Sequence, residues 1–206
     1  MVDHLIDGYR RFRAETWPRE RDRFEELAKS GQKPHTMVIA CSDSRIDPHL
    51  IFDTRPGELF VVRNVANLVP PFAPDAHYHG TSAALEFAVR VLKVQHLIVL
   101  GHALCGGVQG LLSDDTEAMG DFVRPWMSLA APARARTMGI EPPEARQQAC
   151  EFEMVRLSLA YLWTFPWIRD AVDDKTLKLH GAYFGVRDGV LLILGSDGEF
   201  RPLPEV

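Results

Sequence analysis

Cysteine, positive charge and long apolar runs are all scarce in this sequence. Three cysteines occur in 206 residues, and an odd count in a chain of this size argues against a disulfide framework and favours reduced thiols or a metal site. The 23 basic residues are outnumbered by 28 acidic ones, so the net charge of −5 gives no reason to expect nucleic-acid binding or a basic membrane-surface face. No run approaches the roughly 18 apolar residues that cross a bilayer, and the N-terminus lacks the features of a secretory signal. We therefore expect a cytoplasmic protein without nucleic-acid or membrane partners.

The chain is long enough and apolar enough for one folded domain. Apolar residues make up 46% of its 206 residues, which suffices for a real core and fits a single domain with extensions. Residues 1–30 are rich in charge, with apolar side chains spaced through them, which predicts an N-terminal helical arm. That arm either lies on the surface or packs on a partner subunit. We expect residues 1–206 to form a single domain that includes this arm.

Short apolar runs alternate with helical patterns along the remaining chain. Apolar residues at helical spacing predict helices over residues 80–94 and 145–164, and apolar runs predict strands at 36–40, 59–62, 96–101, 177–183 and 190–194. Asp188-Gly189 is a hairpin-turn signal between the last two runs, which makes the final strand antiparallel. The pattern predicts an α/β fold with a mostly parallel central β-sheet, about four parallel strands plus an antiparallel edge strand, flanked by helices.

Two of the predicted strands are followed by residues that bind soft metals. Cys41-Ser42-Asp43-Ser44-Arg45 follows the first strand, and Gly101-His102-Ala103-Leu104-Cys105-Gly106-Gly107 follows the third. Ligands bind at the carboxyl ends of the strands in open α/β sheets, so both stretches are expected at one site. Cys41, His102 and Cys105 supply a Cys2His set of the kind that holds catalytic zinc and leaves one position for water. The alternative is that the thiols are merely small buried side chains.

Together these stretches resemble the β-class carbonic anhydrase family. The resemblance rests on Ala40-Cys41-Ser42-Asp43-Ser44-Arg45, on residues 60–67 (FVVRNVAN) and on Gly101-His102-x-x-Cys105-Gly106-Gly107. It runs at near-constant spacing over residues 31–112 and continues more loosely over 150–166. It implies that Cys41, His102 and Cys105 bind one Zn²⁺ per chain. The implied reaction is the reversible hydration of CO2 to bicarbonate and a proton, in which a zinc-bound hydroxide attacks CO2.

The resemblance also implies a dyad of Asp43 and Arg45 beside the metal. Two thiolates cancel the formal charge of Zn²⁺, so this metal should acidify water less than a zinc ion held by histidines alone. Asp43 can accept a hydrogen bond from the zinc-bound hydroxide, and Arg45 can pair with Asp43 in a bidentate fork that keeps the carboxylate ionised. In one alternative, Asp43 binds the zinc itself and closes the site. In the other, the zinc is purely structural.

Gly106 and Gly107 follow the last candidate ligand, and without a Cβ they would let backbone amides approach a bound oxyanion. The other substrate residues are implied only by the resemblance, in which Gln32 would hydrogen-bond the substrate. The apolar CO2 pocket would come from Phe60, Val65 and Phe87, for which ordinary core packing is the alternative. In the family, Gln32 and the three apolar residues act across a subunit boundary. A homo-oligomer is therefore expected, a dimer at least, with a tetramer or an octamer as larger alternatives.

Two positions point to a subtype of this family. Members with a non-catalytic bicarbonate site carry Trp at the position of Val38 and Tyr at the position of Phe184, whereas only Arg63 of that site is present here. Together with Gln32, these differences predict the plant-like subtype, in which the site is open and Asp43 stays off the metal at neutral pH.

Three other functions remain open at this point. The first is a zinc hydrolase of the same fold that acts on carbonyl sulfide or carbon disulfide. The second is a thiol phosphatase or sulfurtransferase, but those enzymes use a C-x5-R loop, whereas three residues separate Cys41 from Arg45. The third is a zinc-stabilised scaffold or a bicarbonate sensor, against which Asp43, Arg45 and Gln32 argue.

Overall fold

A single mixed sheet organises the part of the chain that the computed structural model describes, residues 2–75, 77–113, 115 and 119–203. The spatial order of its strands is β2-β1-β3-β4-β5-β6. Their bounds are β1 (Thr36–Cys41), β2 (Leu59–Asn64), β3 (His96–His102), β4 (Lys178–Phe184), β5 (Leu191–Leu194) and β6 (Phe200–Pro202). Strands β1 to β4 are mutually parallel, and β5 and β6 each run antiparallel to the preceding strand.

The predicted fold class is confirmed, with one difference at the edge of the sheet. The four parallel strands are followed by the expected antiparallel strand β5, but β6 pairs beyond it and forms the edge. Sequence patterns do not predict β6, because it has only three residues and ends in Pro202, which cannot donate a ladder hydrogen bond.

Helices flank the sheet and also form the N-terminal arm. Their bounds are α1 (Asp3–Arg11), α2 (Trp17–Ser30), α3 (Pro48–Ile51), α4 (Gly80–Glu86), α5 (Gly106–Leu112), α6 (Gly120–Ser128), α7 (Ala131–Thr137), α8 (Pro143–Leu162) and α9 (Pro166–Asp173). A π-helical segment, Phe12–Thr16, joins α1 to α2, and another, Phe87–Leu92, prolongs α4. Among the described residues, no helix is both long and apolar enough to cross a membrane.

The N-terminal arm packs little against the core of its own chain. No residue of α1, of Phe12–Thr16 or of α2 is fully buried. Leu5, Ile6 and Tyr9 expose 62%, 45% and 62% of their surface. Met1, the first residue of the predicted arm, lies outside the described residues.

The central strands are buried on both faces, as continuous apolar runs predict. Met37 and Ile39 of β1 belong to the apolar cluster on one face, whereas Val38 and Ala40 belong to the cluster on the other. This alternation follows from the two-residue period of a strand. A third cluster lies at the carboxyl end of the sheet, beneath α5, α7 and α8, and includes Cys41.

Helix α8 approaches the sheet closely because two strand residues opposite Val155 are glycines. A Cβ atom on Gly101 of β3 would lie 2.6 Å from Val155 Cγ2, and one on Gly181 of β4 would lie 3.0 Å from Val155 Cγ1. Glycine at these positions leaves room for a fully buried, β-branched side chain. The contact therefore sets the distance between α8 and the strand that ends in His102.

Candidate metal centre

Three side chains of the kind that bind soft metals converge at the carboxyl ends of β1 and β3. Cys41 is the last residue of β1, His102 is the last residue of β3, and Cys105 immediately precedes α5. Their ligand atoms all lie within 4.8 Å of one another, and all three residues are buried. The described residues contain no second group of three or more possible metal ligands this close together. The structure thus brings together residues that the sequence separates widely.

The histidine of this group is oriented as a metal ligand. Its Nδ1 atom lies 2.9 Å from the carbonyl oxygen of Ala103, and a carbonyl only accepts, so Nδ1 carries the proton. Nε2 then holds a lone pair, yet this buried atom has no hydrogen-bond partner. A buried polar atom without a partner is costly. Metal-bound histidines usually donate their other ring N–H to a carbonyl or carboxylate, so the residues fit a metal ion.

The two cysteines are electrostatically coupled. Hydrogen bonding to Cys105 lowers the pKa of the Cys41 thiol, and His102 and the backbone at Asp43 and Ala66 lower it further. The same contact with Cys41, together with burial, raises the pKa of Cys105. The pair therefore holds one thiolate readily, and a bound metal cation would favour deprotonation of both thiols.

Asp43 and Arg45 form a bidentate pair beside the three ligands. Arg45 Nε donates to Asp43 Oδ1 at 2.9 Å, and Nη2 donates to Oδ2 at 2.6 Å. Nη2 also donates to the carbonyl oxygen of Leu104 at 3.0 Å, which links the two ligand-bearing loops. Hydrogen bonding to Arg45 holds the pKa of the Asp43 carboxyl well below its usual range. The carboxylate therefore stays ionised and faces Arg45.

Arg63 stabilises the backbone of the loop that begins at Cys41, a role that the sequence analysis did not predict. Its Nε atom donates to the carbonyl oxygen of Cys41 at 2.9 Å, and Nη2 donates to that of Asp43 at 2.7 Å. In the sequence, the only sign of this role is an arginine directly after the apolar residues of β2. Its partners depend on the pairing of β1 with β2, which sets Ala40 opposite Arg63.

The loop after β2 forms one wall of the site. Ala66 and Asn67 both adopt positive φ angles, 64° and 47°, and Trp126 Nε1 donates to the carbonyl oxygen of Val65 at 2.8 Å. A Cβ atom on Gly107 would lie 3.0 Å from Val65 Cγ1, so α5 approaches this loop closely. A Cβ atom on Gly106 would meet no atom within 4 Å. Val65 packs against the apolar cluster that contains Cys41 and Cys105. Gly106 directly follows Cys105 and faces open space.

The other predicted substrate residues do not reach the site within one chain. Gln32 is exposed in the loop before β1, at the amino end of the sheet. Phe60 precedes the end of β2 by four residues, about 13 Å at the usual rise of a parallel strand. The ring of Phe87 lies beside that of Phe60, with centroids 5.9 Å apart, and is 42% exposed. Within one chain, Gln32 is therefore a surface residue, and Phe60 and Phe87 pack against each other away from the candidate metal ligands.

Comparison with known proteins gives one consistent result. The sequence profile of the family described as carbonic anhydrase matches residues 36–191. Beta carbonic anhydrase 3 of Arabidopsis thaliana is 35% identical over 207 residues, covering 98% of this chain and 80% of that protein. The structure of the beta-carbonic anhydrase CcaA matches with a TM-score of 0.90 and 32% identity, over 99% of this chain and 92% of that chain. A tetrameric beta-carbonic anhydrase of Sordaria macrospora matches with a TM-score of 0.83 and 30% identity, over 94% and 96%.

Proposed function

This chain belongs to the β-class carbonic anhydrase family and catalyses the reversible hydration of CO2, and on that premise we propose that Cys41, His102 and Cys105 hold one Zn²⁺ per chain. The observation that carries the metal assignment is the buried, unpartnered Nε2 of His102 beside two thiols. Two sulfur donors and one imidazole match a catalytic zinc site with three protein ligands. A zinc ion bound there would supply Lewis acidity that makes a coordinated water easier to deprotonate.

Asp43 and Arg45 orient the reacting groups in this proposal. Because Arg45 donates to both oxygens of Asp43, the carboxylate is fixed, ionised and able to accept one more hydrogen bond from water that enters the site. Arg45 also binds the loop that carries Cys105, through the carbonyl of Leu104. We therefore assign Asp43 to accept a hydrogen bond from the reacting water, and Arg45 to keep Asp43 ionised and in place.

The pairing of Asp43 with Arg45 also supports the open-site subtype. An Asp43 carboxylate that turned toward the metal would lose both of its contacts with the Arg45 side chain. Val38 is fully buried in β1 and Phe184 has no hydroxyl group, so neither residue offers the donors of a bicarbonate site. Arg63, the remaining member of such a site, already binds the backbone of Cys41 and Asp43.

We propose further that a second copy of the chain completes the substrate pocket with Gln32, Phe60 and Phe87. The distance of these residues from the metal ligands of their own chain supports this, as do the exposed ring of Phe87 and the arm without buried residues. The related Sordaria enzymes are described as tetrameric. For this chain the proposal is a homo-oligomer, a dimer at least.

Complementation between two inactive variants tests this arrangement. Gln32→Ala removes the substrate contact and His102→Ala removes a metal ligand. A mixed dimer has one site with both residues intact, so random mixing should restore about a quarter of wild-type activity in a dimer. Each variant alone should stay nearly inactive. Mixtures that are no more active than the sum of their parts would overturn the shared pocket.

A second candidate function uses the same ligands. A zinc hydrolase acting on carbonyl sulfide or carbon disulfide would require the same Cys2His set. Stopped-flow CO2 hydration beside a carbonyl sulfide assay, on one zinc-loaded sample, distinguishes the two. We expect CO2 hydration to be faster by orders of magnitude, and the reverse order would favour the hydrolase.

We also propose a cytoplasmic location. All three cysteines are free thiols, and the proposed metal site requires Cys41 and Cys105 to stay reduced. Such thiols persist in reducing compartments. Fractionation of cells that express the chain, followed by immunodetection, tests this, and recovery outside the cytoplasm would contradict it.

A further inference from the structure

Glu151 of α8 is a buried carboxylate whose hydrogen-bond partners are all neutral. Only 3% of its surface is exposed. Its Oε1 atom accepts from the backbone N–H of Cys105 at 2.9 Å and from Gln147 Nε2 at 3.0 Å, and Oε2 accepts from Tyr183 Oη at 2.7 Å. Burial of a carboxylate without an opposite charge is expensive. None of these partners carries a positive charge, so the hydrogen bonds stabilise the carboxylate without an ion pair that neutralises it.

The place of Glu151 in the fold connects it to the metal ligands. The N–H group that it accepts belongs to Cys105 itself, the third candidate ligand and the last residue before α5. Tyr183 belongs to β4 and lies opposite Gly101 of the strand that ends in His102. One carboxylate thus joins the ligand loop, α8 and the neighbouring strand. Its position fixes the backbone from which the Cys105 thiol projects.

We propose that Glu151 is a positioning residue for the metal centre, and that its charge strengthens the retention of the metal. The proposal rests on the zinc site proposed above. A metal cation next to the Cys105 loop gives the carboxylate the opposite charge that its hydrogen-bond partners lack. The hydrogen bond to the Cys105 amide holds the loop in the orientation in which its thiol faces Cys41 and His102. Groups that act on a ligand in this way typically change metal affinity by roughly 10- to 100-fold.

Three variants separate the parts of this role. Glu151→Gln keeps the volume and an oxygen that can accept from Cys105, but it removes the charge. Glu151→Ala removes both. Glu153→Gln is the matched control on the same helix, because Glu153 pairs with Arg136 and Arg156 and makes no hydrogen bond to the ligand loop.

The dissociation constant for Zn²⁺, measured by competition with a chromophoric chelator at one fixed pH, is the primary readout. Glu151→Gln should weaken zinc binding about tenfold and Glu151→Ala more, up to roughly 100-fold, whereas Glu153→Gln should stay within about twofold of the wild type. The Gln variant decides the result if the Ala variant does not fold. A Glu151→Gln protein with an affinity within about twofold of the wild type would overturn the proposal.

Thermal melting distinguishes positioning from a purely structural role. Zinc binding raises the Tm of the native state by mass action, so the gap between the zinc-free and zinc-loaded Tm reports the affinity. We expect this gap to shrink in both Glu151 variants. An equal drop of both Tm values, with the gap unchanged, would show a structural role only and overturn the proposal. A wild-type chain that binds no zinc would overturn the metal site and this inference together, whereas tight wild-type binding with unaffected variants would overturn this inference alone.

Discussion

The contact between Gly101 and Val155 gives a quantitative test of how the fold positions the metal ligands. In Gly101→Ala, the new methyl carbon would lie 2.6 Å from Val155 Cγ2. Carbon atoms prefer a separation of about 3.5–4.0 Å, so a gap of roughly 1 Å must open. Val155 is fully buried, and a valine in a helix has one strongly preferred rotamer. The strain must therefore move α8 or β3, and β3 ends in His102.

The cost follows from overpacking of a dense core. Extra carbon atoms in such places typically destabilise by about 1–3 kcal/mol, and the short distance here argues for the upper half of that range. Urea unfolding of the zinc-free protein measures the loss as a lower midpoint at an unchanged slope. Gly139→Ala is the control, because a Cβ atom there meets nothing within 4 Å. It should change stability by no more than about 0.5 kcal/mol.

A double-mutant cycle tests whether Val155 is the cause. Val155→Ala removes the clashing methyl, so it should be destabilising in the wild type but close to neutral in the Gly101→Ala background. The expected interaction energy is about 1–3 kcal/mol in the stabilising direction, within the range seen for residues in contact. Additive effects of the two substitutions would refute the close approach as the reason for glycine at this position.

Two further predictions concern the dyad and a buried thiol. Asp43→Ala should keep about one zinc per chain but lose most CO2 hydration, because no group then fixes the reacting water. Stopped-flow rates and zinc content measured on one sample check this. Surviving activity would contradict the role of Asp43. Burial raises the pKa of the Cys150 thiol from 9.0 to about 11. The native state therefore favours the neutral thiol, and its contribution to stability is complete below pH 9 and lost as the pH rises toward 11, by up to about 3 kcal/mol. Urea unfolding of the zinc-loaded protein over this range should show a steeper loss in the wild type than in Cys150→Ala, and equal slopes would count against the shift.

Sequence patterns predicted the sheet well where the strands are central and less well at its edge. Continuous apolar runs identified β1 and β3, because strands buried on both faces need apolar residues at every position. The location of the ligands followed from the rule that sites lie at the carboxyl ends of parallel strands. The edge strand β6 was missed because pairing with β5, rather than its own composition, makes it a strand.

Helix α8 shows a different reason why patterns fall short. Apolar residues at helical spacing predicted the helix but not its two buried sides. Helix α8 contributes to two core clusters, with Val155 in one and Met154 in the other. Its buried positions also include Ser158, which donates to the carbonyl oxygen of Asn67 and accepts from the backbone of Val69. A helix covered on two sides loses the clear amphipathic pattern of a surface helix.

The residues that support the site were harder to predict than the ligands themselves. A cysteine or histidine at a strand end suggests chemistry by its type, whereas Glu151 resembles any acidic residue on a helix. Only the packing of α8 under the Cys105 loop gives Glu151 its partner. Arg63 likewise depends on strand register for its contacts with Cys41 and Asp43.

The most direct test of the central claim is stopped-flow CO2 hydration with the zinc content determined on the same sample. Zinc is removed with a chelator and restored stepwise in the wild type and in His102→Ala. The proposed centre predicts that wild-type activity rises in proportion to bound zinc and saturates at one Zn²⁺ per chain, while His102→Ala neither retains the metal nor recovers activity. A wild-type chain with full zinc and no CO2 hydration at alkaline pH, or activity that is independent of zinc, would contradict the account.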